Sequence, residues 1–287
     1  IPVETKVKQI PCGKAPDGQD LILYRICHES GTYAEVLNYG CALRGLGVFE
    51  RDRKMRNVIA ASEDPANGLS GAVAGGVRII GAGAENLRHL EQSVWQTQEI
   101  GENYVILYAE STVCGFGAAV KIRLMDHQRL VLDYAVHSKN EGNYRLTHSV
   151  PFRLCELNRQ EQQKVRVFCP SCAGAKTLAE CGYSSTGYAE VEDGMDAHFV
   201  SEGGRIHPMA ELLAEETDLT LSVYSTMPEL HFAAVDSPMR AVEITPLSGA
   251  PAAVHPEEAQ AERTVFGVDL VYRPGAVSPV PFMFSGR

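Results

Sequence analysis

The chain has 287 residues, 45% of them hydrophobic and 22% charged, with 26 glycines, 15 prolines and one tryptophan. That composition excludes collagen-like, disordered and small disulfide-stapled classes. A formal net charge of −10 has the wrong sign for nucleic acid or an anionic membrane surface, because both are bound through a basic footprint.

Taken in chain order, the N-terminal run Ile1-Pro-Val-Glu-Thr-Lys carries none of the zones of a secretory signal, and an isoleucine at residue 1 suggests that the start has been removed. Short apolar or alternating runs bounded by Gly, Asn, Asp and Pro then recur, the signature of strands and turns. The first are Leu21–Ile26 and Ala34–Leu37, followed by a diffuse basic patch at Arg51–Arg56. The most apolar stretch, Gly68–Ala84, is mostly Gly and Ala and is broken by Arg78, so no segment reaches the roughly 18 apolar residues of a spanning helix. Within it, Gly81-Ala-Gly83 opens like a dinucleotide fingerprint but lacks the third glycine and a following helix, and reads as a turn. Strand-like runs resume at Tyr104–Tyr108, Ala118–Leu124, Leu130–Val136 and Val165–Phe168. Met209–Glu216 is the best helix candidate, about two turns or a helical loop. Leu219–Tyr224, Ala241–Thr245, Asp269–Tyr272 and Val280–Phe284 complete the series. Strand–helix alternation, a Pro-rich linker and an internal repeat are all absent. The pattern predicts an all-β, single-domain antiparallel β-sandwich over 1–287 rather than two α/β units.

The eight cysteines are scattered without a framework spacing, and Cys169-Pro-Ser-Cys172 has no second pair to complete a zinc site. His198 and His207 are not at ligand spacing either. Reduced thiols, a cytoplasmic location and no metal or cofactor are expected.

Several segments, in order, resemble the aldose 1-epimerase (galactose mutarotase) family. Tyr33–Leu43 with Leu46–Asp52 resembles the family opening around "N-Y-G-A". Gly75-Gly-Val-Arg-Ile-Ile80 is similar to "G-R-x-x-N-R-I", with Arg78 on the second Arg; Asn86–Leu90 and Trp95 are similar to "N-x-L-H-G…W", with His89 on the His. Leu146–Leu154 resembles "L-T-N-H-x-Y-F-N-L", and Ser185-Thr-Gly187 with Asp196 resembles "P-T-G…D-F". Ser225–His231, Glu243–Ala253 and Tyr272–Phe284 resemble "S-x-x-P-x-L-Q", "E-P…P-D-A" and "L-x-P-G-E…Y-x-F".

The resemblance implies a galactose mutarotase-like supersandwich that binds a monosaccharide or related cyclic molecule, as a monomer or homodimer. It also implies an isomerase that interconverts anomers without a cofactor: a carboxylate takes the C1 hydroxyl proton while an imidazolium protonates the ring oxygen. Carried over, Arg78, His89 and Asp196 would bind substrate. For the acid, matching the Leu-Thr and Phe-x-Leu ends sets Ser149 on the family His and His148 one place early. Adjacent strand residues face opposite ways, so His148 needs a bulge near Pro151 to reach the cleft. For the base, counting back from Pro251 sets Thr245 on the family Glu, whereas a two-residue insertion at Leu247–Gly249 makes Glu243 the equivalent. His148 and Glu243 are the catalytic pair expected. The displacements leave open a non-catalytic carbohydrate-binding member, or an epimerase-like isomerase or lyase with an altered substrate.

Overall fold

Apolar side chains at every second position bury one face of an extended chain, and Gly, Asn and Asp supply the turns between such segments. The computed structural model describes residues 6–62, 64–66, 75–80, 90–111, 115–138, 145–155, 163–174, 176–235, 240–249 and 260–270. Its strands begin with β1 (Val7–Lys14), β2 (Asp20–Cys27), β3 (Tyr33–Leu37), β4 (Ala42–Phe49) and β5 (Met55–Asn57). Next come β6 (Val77–Ile80), β7 (Gln96–Ile100), β8 (Tyr104–Ser111), β9 (Phe116–Met125), β10 (Arg129–Ser138), β11 (Arg145–His148) and β12 (Val150–Phe152). The middle of the chain gives β13 (Gln163–Val167), β14 (Ser171–Cys172), β15 (Lys176–Thr177), β16 (Ala189–Glu190) and β17 (Asp196–Val200). The last are β18 (His207–Ala214), β19 (Leu219–Ser225), β20 (Glu229–Val235), β21 (Ala241–Leu247) and β22 (Gln260–Leu270). The expected runs at Asp269–Tyr272 and Val280–Phe284 lie partly and wholly outside the described residues.

The strands form three antiparallel sheets. β1 to β5 make a five-stranded meander; a nine-stranded sheet runs β16-β13-β18-β19-β22-β10-β9-β8-β7; an eight-stranded sheet runs β15-β14-β17-β20-β21-β11-β6, with β12 also on β21. The all-β antiparallel architecture read from the sequence is the one found.

The main apolar core draws on all three sheets, and a smaller cluster around Leu21, Leu37 and Tyr39 lies against the meander. Phe152 of β12 packs on Phe266 of β22, ring centroids 5.0 Å apart, which ties the eight-stranded sheet to the nine-stranded one. Gln128 ties in the meander: its Oε1 accepts the Phe49 N–H at 2.8 Å and its Nε2 donates to the Val268 carbonyl at 3.0 Å. Each fully buried large side chain of this kind contributes about 1.5–3 kcal/mol.

Met209–Glu216 departs from expectation. It is not helical: Met209–Ala214 belongs to β18. A register shift between Pro208 and Ala210 turns two consecutive residues, Met209 and Ala210, into the core, after which Leu212 and Ala214 follow at strand spacing. The bulge breaks the period of two and counterfeits a helical pattern.

The seven cysteines among the described residues are free thiols. No helix among the described residues is long and apolar enough to cross a membrane.

Candidate active site on the outer face of the eight-stranded sheet

Strand alternation separates two environments on this sheet. Leu146, Val150 and Phe152, Val242 and Ile244, and Leu230 and Phe232 all turn into the core. Their neighbours therefore turn to the other face: Thr147, Ser149 and Pro151; Glu243 and Thr245; Glu229, His231 and Ala233. Register then sets which of them meet. Thr147 pairs with Leu247, Val150 with Ile244 and Pro151 with Glu243. On the next strand His231 pairs with Thr245 and Ala233 with Glu243. Beyond it, His198 pairs with His231 and Asp196 with Ala233. On the far side, Arg78 of β6 pairs with Thr147.

The face is thus ordered in rows. One carries Ser149, Thr245, His231 and His198; the next carries Pro151, Glu243, Ala233 and Asp196. His231 Nε2 donates to Asp196 Oδ1 at 2.8 Å, and His198 Nε2 donates to Glu229 Oε2 at 2.7 Å. A carboxylate only accepts, so each ring proton is fixed on Nε2 and Nδ1 is left for another partner. Glu229 Oε1 also takes a hydrogen bond from Arg145. The two rings stand edge to face with centroids 6.4 Å apart. Arg78 Nε lies 2.9 Å from Oε2 of the buried Glu91. The half-buried Glu243 carboxylate makes no ion pair or hydrogen bond with a described residue.

His148 is not on this face. It is 1% exposed and points into the core. Its Nε2–H donates to the Gly75 carbonyl at 2.9 Å, its Nδ1 accepts from the Tyr134 hydroxyl at 3.0 Å, and it stands edge-on to the Tyr134 ring. Gly75 has φ +82°, and a Cβ there would meet the Leu43 carbonyl oxygen at 2.4 Å, so only glycine brings that acceptor under the imidazole. Burial lowers the His148 pKa to about 4, against the opposing pull of the Gly75 and Cys41 carbonyls. The bulge needed to turn His148 outward is absent. The pairing on β21 keeps one register before and after residue 149, which sets Ser149 opposite Thr245. The expected acid role for His148 is corrected accordingly: a neutral imidazole sealed between sheets reaches no ligand.

Of the other expected residues, Glu243, Asp196 and Arg78 share this outer face, and His89 lies outside the described residues. His231, His198, Glu229 and Arg145 were not singled out from sequence as site residues. Their signal was the alternation of polar with apolar residues in Asp196-Ala-His-Phe and Glu229-Leu-His-Phe, a pattern shared with any solvated strand.

No protein-family model and no curated protein matches the chain in sequence. Solved structures do match in shape. The aldose epimerase homologue from C. elegans superposes with a TM-score of 0.75 at 14% identity, covering 87% of this chain and 99% of that one. Galactose 1-epimerase from Lactobacillus acidophilus gives a TM-score of 0.74 at 15% identity, covering 94% and 100%. A galactose mutarotase-like protein from Clostridium acetobutylicum gives 0.66 at 9% identity, covering 92% and 98%.

Proposed function

Since the chain has the galactose mutarotase-like fold, we propose that it interconverts the anomers of a monosaccharide on the outer face of the eight-stranded sheet, with Glu243 as general base and His231 as general acid. Glu243 takes the proton of the C1 hydroxyl while the His231 imidazolium gives its Nδ1 proton to the ring oxygen. The C1–O5 bond breaks, C1–C2 rotates, and reversal of both transfers closes the ring as the other anomer. Asp196, bonded to Nε2, orients the ring and fixes which nitrogen faces the substrate, the part a carboxylate plays behind a catalytic imidazole. Arg78 binds sugar oxygens, and no step calls for a metal or cofactor. The free thiols are in keeping with a cytoplasmic enzyme.

The observation that carries this reading is the register His231↔Thr245 with Glu243 two residues along the same strand. That diagonal separation, roughly 7–8 Å, leaves room for a hemiacetal carbon between acid and base, and the base has no competing partner among the described residues. Polarimetry on freshly dissolved α-glucose and α-galactose tests it. The protein should accelerate the approach to anomeric equilibrium, and Glu243→Gln and His231→Asn should each abolish most of the acceleration.

The hydroxyls of Ser149 and Thr245, standing where the family resemblance expects His and Glu, favour a second reading, saccharide binding without turnover. Binding heat in calorimetry with no polarimetric effect would select it.

A further inference from the structure

Buried hydroxyls rarely go without a partner, because water that is lost must be replaced. In this protein most buried or half-buried serines obey: Ser225 Oγ donates to the Arg263 carbonyl at 3.0 Å, Ser248 Oγ takes the Leu146 N–H at 3.0 Å, and Ser93 Oγ donates to the Leu90 carbonyl at 3.2 Å. Ser149 does not. It is 2% exposed, and its Oγ has no hydrogen-bond partner among the described residues. It also makes none of the local side-chain-to-backbone bonds that serine usually offers.

Its position gives this vacancy a use. His148 and Val150 on either side turn into the core, so Ser149 turns to the opposite face of the sheet, where it and Thr245 are both covered, in the row that continues to the half-buried His231. Glu243 lies one diagonal step away, roughly 7–8 Å. A serine hydroxyl both donates and accepts, which matches another hydroxyl and is poorly used on a phosphate, which mainly accepts. Two cations on this face among the described residues are engaged already, Arg78 with Glu91 and Arg145 with Glu229.

We infer that Ser149 is a specificity-determining residue that hydrogen-bonds one hydroxyl of the sugar, on a carbon other than the reacting C1. The inference rests on the saccharide site proposed above. It makes the protein selective for rings that carry that hydroxyl, while Glu243 and His231 act at C1 and the ring oxygen.

The test is titration calorimetry with glucose, galactose and their 2-, 3-, 4- and 6-deoxy derivatives, using the wild-type protein, Ser149→Ala and Ser149→Thr. The wild type should bind one deoxy sugar about tenfold more weakly than its parent, the effect of one hydrogen bond to a buried group. Ser149→Ala should bind the parent about tenfold more weakly and that deoxy sugar as the wild type does. Ser149→Thr, which keeps the hydroxyl, should restore the discrimination. A Ser149→Ala protein that weakens every sugar alike, or none, overturns the role of Ser149 and leaves the site standing. Binding with this pattern but no polarimetric activity removes the catalytic reading and keeps the specificity residue. A wild type that binds none of these sugars overturns both.

Discussion

The inner and outer faces of β11, β12 and β21 are built from alternate residues of the same short segments, yet their chemistry is opposite. On the inner face Leu146, Val150, Phe152, Val242 and Ile244 are fully buried, and the one titratable group, His148, is held neutral with both ring nitrogens bonded inside the protein. On the outer face Glu243 is half-buried and unpaired among the described residues, Ser149 has an unused hydroxyl, and two histidines on neighbouring strands stand on carboxylates. The inner face spends its polar groups on one another. The outer face leaves Glu243 and Ser149 without a partner among the described residues. A histidine is therefore a structural or a chemical residue according to its parity along the strand, and one residue of offset exchanges the two roles.

The sharpest way to break this contrast is at Glu243. Glu243→Gln should lower the polarimetric rate by about 10²–10⁴-fold, the usual contribution of a general base, while the urea midpoint changes little; an unchanged rate would remove this face as the site. On the inner face Phe152→Ala should cost about 3–5 kcal/mol, because the ring is fully buried against Phe266. It is read from urea or thermal unfolding, and a loss under about 1 kcal/mol would deny the packing described.

His148 sharpens the comparison through pH. Its unfolded imidazole takes a proton near pH 6.5, whereas the folded one resists until about 4. The unfolded state thus binds more protons in this window. Stability is full above about pH 6.5 and falls as pH drops toward 4, by on the order of 3 kcal/mol. Urea unfolding at pH 7 and pH 4.5 should show His148→Gln losing much of that slope, and His231→Asn keeping it. The smallest effect is expected at Asp196, whose side chain is 74% exposed beside His231. Asp196→Asn should shift stability by less than about 1 kcal/mol, with its consequence confined to turnover.

Much of the fold was legible because a period of two is a local property. Leu130–Val136 became β10 and Ala118–Leu124 became β9, each announced by its own apolar residues. Met209–Glu216 was misread for an equally local reason: a bulge at Met209 places two neighbours in the core, and the spacing then mimics a helix. The site was legible only in part. Glu243 and Asp196 were proposed through resemblance to a family whose fold the chain has, and both turn to the outer face. His231 was not singled out as an acid, since a histidine in an alternating strand looks like any solvated residue until its cross-strand partners are known.

The sequence by itself determined that this is a protein of antiparallel strands, and that His148 and Ser149, being adjacent, occupy opposite faces. Tertiary structure alone decided which face is the core, that no bulge exchanges the two, and that His231 lies beside Thr245 and one diagonal from Glu243. The physical reason is range: alternation is fixed by backbone geometry between neighbours, whereas register joins segments far apart in the chain and is set by how their buried faces pack together.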